Sequence, residues 1–128
     1  IRDAGIRTGL ALKPGTAFEA ALPYLAGLDV LLVMTVEPGY GGQEFMAGML
    51  DKVRAAREGR ERNGARYLIE VDGGIAPATA ARSRAAGADA FVAGHAVYRQ
   101  PDPGKALEEL RASIAGRVAT TPAAGGRR

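Results

Sequence analysis

The chain has 128 residues, is 47% hydrophobic and carries a formal charge of +3, so it is the size of one ordinary domain with enough apolar content for a core. No basic stripe interleaved with aromatics runs through it, which argues against a nucleic-acid partner. Cysteine is absent, excluding disulfides and Cys-type metal sites, and the single histidine, His95, excludes an all-protein histidine cluster within this chain. The apolar run Val30 to Val36 is too short to span a bilayer and no signal-peptide pattern opens the chain, so the expected setting is cytoplasmic, without a membrane partner.

In chain order, Ile1 stands where a methionine would open a complete product, which suggests a processed chain or a piece of something longer. Four short apolar runs follow without strict alternation: Thr8 to Leu12, Val30 to Val36, Tyr67 to Val71 and Ala90 to Ala93. Runs of this kind suit a parallel sheet covered on both faces. The segments between them have helical spacing. Phe18, Leu22 and Leu25 predict a first helix; Phe45, Met49 and Val53, with Met46 and Leu50 beside them, predict a second. A third is expected from about Ala78 to Ala86, weakly capped by Ala76 and ended by Gly87. The last carries Leu107, Leu110 and Ile114, with Asp102 as cap and Pro103 at its first position. Arg54, Arg57, Arg60 and Arg62 read as an exposed helical face and its trailing loop. Residues 117–128 are expected to form a disordered tail after one domain spanning 1–116.

Strand–helix alternation four times over argues for an α/β fold of right-handed βαβ units around a parallel sheet. Four units leave two unpaired edges and an uncovered inner face, whereas eight would close a ring. The expectation is therefore half of a barrel, needing a second half or a second copy.

The residues with chemistry cluster where the apolar runs end. Glu37-Pro38-Gly39-Tyr40-Gly41-Gly42-Gln43 has three glycines in four positions, which lets a phosphate or sugar oxygen approach the backbone closely; the alternative is a plain connecting loop. Asp72-Gly73-Gly74-Ile75 puts an acid at the mouth of a parallel sheet, as a proton-transfer group or simply as a turn cap. Gly94 and the amide of His95 suit a phosphate, while the imidazole is more readily structural than a base. Met34 is placed to line the pocket floor, and Met46 and Met49 to pack a helix. Lys13-Pro14-Gly15-Thr16 either shapes the rim or leaves Lys13 as a surface charge.

Four stretches together resemble the ribulose-phosphate 3-epimerase family: Gly9-Leu10-Ala11-Leu12-Lys13-Pro14-Gly15-Thr16, Met34-Thr35-Val36 continuing through Glu37 to Phe45, Ile69-Glu70-Val71-Asp72-Gly73-Gly74-Ile75, and Val92-Ala93-Gly94-His95-Ala96-Val97-Tyr98. The resemblance runs from about residue 1 to 115. It implies the C-terminal half of a (β/α)8 barrel of the pentose phosphate pathway, interconverting ribulose 5-phosphate and xylulose 5-phosphate with a divalent metal (zinc, iron, manganese or cobalt). By the same resemblance Asp72 is both a metal ligand and one of two catalytic carboxylates. Gly39, Tyr40, Gly41, Gly42, Gly73, Gly74, Gly94 and His95 would contact the phosphorylated ketose, and Met34 would lie near the reacting carbons. Two departures stand out. The family usually has serine at the position of His95, and its other catalytic aspartate and histidine metal ligands belong to four strands this chain does not contain. The chain alone is expected to have little or no epimerase activity. Two other readings are a non-catalytic, self-associating phosphate-binding half-barrel and an epimerase for a six-carbon ketose phosphate.

Overall fold

The computed structural model describes residues 1–116; the expected disordered tail, 117–128, lies outside the described residues. Four strands, β1 (Gly9–Leu12), β2 (Val30–Met34), β3 (Leu68–Asp72) and β4 (Ala90–Val92), form one parallel sheet in the order β1-β2-β3-β4. Three fall within their apolar runs, and β3 extends one residue past its run to Asp72. Helices α1 (Leu50–Asn63) and α2 (Pro77–Ala86) fill the later connections, α3 (His95–Tyr98) and α4 (Pro103–Ile114) follow β4, and a 3₁₀ helix, Phe18–Gly27, fills the first connection. The α/β half-barrel expected from the sequence is the observed architecture.

Because strand side chains alternate and paired positions in a parallel register project together, the sheet has two distinct faces. Leu12, Leu31, Val33, Ile69 and Val71 are buried on the helix side, with Phe91 packed beside them. Each such side chain contributes about 1.5–3 kcal/mol by leaving water. The other face is open: Leu68 is 51% and Val92 42% exposed. This corrects the expectation of a sheet covered on both sides, and matches the uncovered inner face expected of four units standing without a second four. Its rows are Ala11–Leu32–Glu70–Ala90 and, nearer the strand ends, Met34–Asp72–Val92.

Several local expectations shift. The first predicted helix is 3₁₀, with Phe18, Ala21 and Leu25 buried and Leu22 turned to solvent. Pro23 lies inside it and has no N–H to donate to an α-helical ladder. Phe45 and Met46 precede α1 instead of belonging to it. The Met46 N–H donates to Thr35 O at 2.8 Å, which holds the chain extended there until a 3₁₀ turn at Ala47–Met49 starts the helix. Met49 still packs against the core. The third helix begins at Pro77 with Ala76 before it, but Thr79 does the capping: its Oγ1 accepts the Ala76 N–H at 2.9 Å and donates to Gly74 O at 2.7 Å. The fourth is capped by Asp102, whose Oδ1 accepts the Lys105 N–H at 3.0 Å, with Pro103 first as expected. Ala106 takes the buried position there, and Leu107 is on the outer side.

Arg60 also departs from its predicted exposed face. Its Nη1 donates to Tyr67 O at 3.0 Å and to Asp89 Oδ2 at 2.5 Å, and the same Oδ2 accepts the Ile69 N–H at 3.0 Å. Asp89 thus ties α1 to the starts of β3 and β4, at the end of the sheet away from the glycine turns. The Tyr67 phenol, fully buried, donates to Ala56 O at 2.6 Å inside α1.

Candidate functional site

Each of the last three strands ends by turning into a helix-bound loop on the same side of the sheet. β2 runs out through Thr35 and Val36 into the Glu37–Gln43 loop, β3 into Asp72-Gly73-Gly74, and β4 into Ala93-Gly94-His95. A cleft of about 690 Å³ lies among these loops. It is lined by all ten residues singled out from the sequence: Met34, Gly39, Tyr40, Gly41, Gly42, Asp72, Gly73, Gly74, Gly94 and His95. Side-chain alternation along β3 directs Asp72 to the open face, where its row neighbours are Met34 and Val92. Asp72 is partly buried.

Thr35 joins two of these turns, and sequence reasoning passed over it. Wholly buried, it donates from its backbone N–H to Asp72 O at 2.9 Å and from Oγ1 to Gly73 O at 2.6 Å. Its own carbonyl receives Met46 N–H. The signal available was a threonine inside an otherwise apolar run, where a buried hydroxyl requires a partner. Below it the turn is tight. Gly74 has φ +65, and a Cβ there would lie 2.7 Å from Phe45 N and 2.8 Å from Phe45 Cα. Gln43 holds its own loop together: Nε2 donates to Glu37 O at 2.6 Å and Tyr40 O at 3.0 Å.

Apart from its chain neighbours, nothing lies within 4 Å of where a Gly94 Cβ would stand, so this turn leaves room for a ligand. The turn's bonds come from Val97 and Tyr98, whose N–H groups donate to Gly94 O at 3.0 and 2.9 Å. Arg99 and Gln100 also line the cleft and were not anticipated. Arg99 brings a cation to the rim, one helical turn beyond His95. Lys13 does not line the cleft. Its carbonyl and that of Pro14 accept from Lys52 Nζ at 2.9 and 2.7 Å, and burial pulls the Lys52 ammonium below its usual 10.5, partly offset by Glu37.

A resident metal needs several convergent donors. Among the described residues no group of three or more His, Cys, Asp or Glu side chains is arranged to hold one. Asp72 supplies one carboxylate, and Glu70 lies two residues back on the same strand face. The expected metal site is therefore not formed by these residues alone. No helix among them is long and apolar enough to cross a membrane.

A parallel strand–helix array with an acid and glycine turns gathered at the strand ends defines the class: half of a β/α barrel with its ligand rim exposed. More particularly, the chain belongs to the ribulose-phosphate 3-epimerase family, whose model matches residues 1–98. It is 48% identical over 111 residues to ribulose-phosphate 3-epimerase of Mycobacterium tuberculosis strain H37Rv, covering 87% of this chain and 48% of that protein. The cytoplasmic isoform from Oryza sativa subsp. japonica is 41% identical over 122 residues, covering 91% and 50%, and the Escherichia coli K12 enzyme 40% over 115, covering 90% and 51%. The chain thus spans about half the length of the curated relatives it matches. Among solved structures it is similar to 3-hexulose-6-phosphate synthase, with a TM-score of 0.62 and 26% identity over 88% of this chain and 52% of that one.

Proposed function

We propose that this chain supplies the C-terminal half of a ribulose-phosphate 3-epimerase barrel, acting in the cytoplasm on ribulose 5-phosphate and xylulose 5-phosphate in the pentose phosphate pathway. One observation carries the reading: Asp72 shares a row with Met34 on the open face and borders the same cleft as the glycine turns. Epimerisation beside a ketone requires proton removal on one face of the carbon and return on the other. Asp72 is the proton-exchanging carboxylate on one face, and Met34 lies beside the reacting carbons. Gly39, Tyr40, Gly41, Gly42, Gly73, Gly74, Gly94 and His95 hold the sugar phosphate, so that binding energy remote from the reaction positions the carbon over Asp72. The second carboxylate, and any metal ligands beyond Asp72, come from outside this chain.

The partner across the open face is a missing N-terminal half-barrel or a second copy of this chain. By itself the chain has little or no turnover.

The test joins the N-terminal half of the Mycobacterium tuberculosis relative to this chain and follows xylulose 5-phosphate formation. Asp72→Asn should lower kcat by about 10²–10⁴ with substrate binding retained. Full turnover by the Asn variant would reject the role of Asp72. A six-carbon ketose phosphate is the second reading, favoured by the likeness to 3-hexulose-6-phosphate synthase. Supplying five- and six-carbon ketose phosphates side by side to the joined barrel decides between them.

A further inference from the structure

We infer that His95 is a positioning residue: its imidazole is a strut seated on the backbone of Gly41 and Gly42, locking the β2 loop to the β4 turn. A Cβ built on Gly41 meets two atoms within 4 Å, His95 Cε1 at 2.9 Å and Nδ1 at 3.4 Å. Gly41 is not among the positive-φ glycines, so its backbone would accept alanine. His95 fills the space a Gly41 side chain would need, so such a side chain must displace the imidazole. At Gly42 the same ring supplies all three nearest contacts: Nε2 at 3.1 Å, Cε1 at 3.3 Å and Cδ2 at 3.6 Å. The imidazole therefore occupies the side-chain space of two successive glycines.

Among the described residues no hydrogen bond joins the Glu37–Gln43 loop to the Gly94 turn, so this contact is what bridges them. The Gln43 side chain ties its loop only to itself, through Glu37 and Tyr40. Thr35 joins the β2 end to the Asp72 turn but does not reach β4. His95 carries the link from the glycine loop to the open turn at Gly94, so the two walls of the cleft keep a fixed separation. A shorter side chain at this position would leave a gap, and the loop would lose its seat. For a ligand bound between those walls, a preset separation lowers the ordering cost of binding. It should therefore appear in KM and leave kcat nearly unchanged. The identity of the ligand rests on the sugar-phosphate reading; the contact itself does not.

The experiment has a ligand-free arm and a kinetic arm. In the first, the 128-residue chain and its His95→Ser, Gly41→Ala and doubly substituted forms are compared by nitrogen-15 NMR. His95→Ser should shift the Gly41 and Gly42 signals through loss of the ring current and broaden the amides from Gly39 to Gly42. Gly41→Ala should disturb the Gly94 and Ala96 amides when the imidazole is present and leave them in place in the doubly substituted form. If Gly41→Ala prevents folding, the His95→Ser spectrum decides alone. In the second arm, within the joined barrel, Gly41→Ala should raise the KM for ribulose 5-phosphate about tenfold when His95 is intact and less than about twofold when it is added to His95→Ser, with kcat little changed. Glycine signals indifferent to the loss of the imidazole, or equal KM penalties in both backgrounds, would overturn the strut. A joined barrel with no turnover on any ketose phosphate would instead refute the sugar-phosphate reading, while the NMR arm still decides the contact.

Discussion

Replacing Gly74 by alanine tests whether the Asp72 turn is built by a close backbone approach. With φ at +65, an L-residue costs about 1–2 kcal/mol relative to glycine. The added Cβ would also press on Phe45 N at 2.7 Å and Cα at 2.8 Å, main-chain atoms that cannot swing aside. Overpacking of that kind adds about 1–3 kcal/mol. The sum, about 2–5 kcal/mol, is a large share of the roughly 5–15 kcal/mol by which a domain is stable. With a urea slope near 2 kcal/mol/M, a loss of about 3 kcal/mol lowers the midpoint by about 1.5 M. Circular dichroism of the chain in a urea series measures this directly. Gly48→Ala is the control: that position has no atom within 4 Å and no positive φ, and should be neutral or gain about 0.4–1 kcal/mol. If Gly74→Ala unfolds at the midpoint of the unsubstituted chain, the reasoning is refuted.

Asp89→Ala removes the acceptor of both Arg60 and the Ile69 N–H and should cost about 2–3 kcal/mol in the same urea series, while Asp51→Ala, at an exposed i,i+3 pair with Arg54, should change little. Tyr67 gives a pH signature. Burial raises its phenol above the usual 10.0, with Arg60 and Arg62 pulling the other way. The neutral form is thus favoured in the fold; its contribution is complete below pH 10 and disappears as the pH climbs through the raised value. Tyr67→Phe should cost about 0.5–1.5 kcal/mol at neutral pH through loss of its hydrogen bond to Ala56 O and give a flatter loss of stability above about pH 10, read from thermal melts across roughly pH 8–11. An equally steep alkaline loss in the Phe variant would contradict this.

Much of the site was legible because it is written in local chemistry. Apolar runs ending in glycine turns placed Met34, Asp72 and Gly94 at one rim, since strand ends in a parallel array share a side. What escaped was carried by contacts between distant segments. Thr35 passed unremarked inside an apolar run, because its hydroxyl bonds Gly73 O, 38 residues away. Arg60 looked like a surface charge because helical spacing cannot show that Asp89, 29 residues on, stands beneath it. Phe45 and Met46 fitted a helix pattern, but the Thr35 carbonyl claims the Met46 N–H and holds that stretch extended.

By itself, the amino-acid order determined the parallel strand–helix alternation, the family and the ten residues that border the cleft, because apolar period and glycine position act over a few neighbours. Tertiary structure alone decided which sheet face is bare and that the ring of His95 occupies the space a side chain on Gly41 would need. Those depend on strand register and loop packing, which bring together atoms that no short stretch of chain contains.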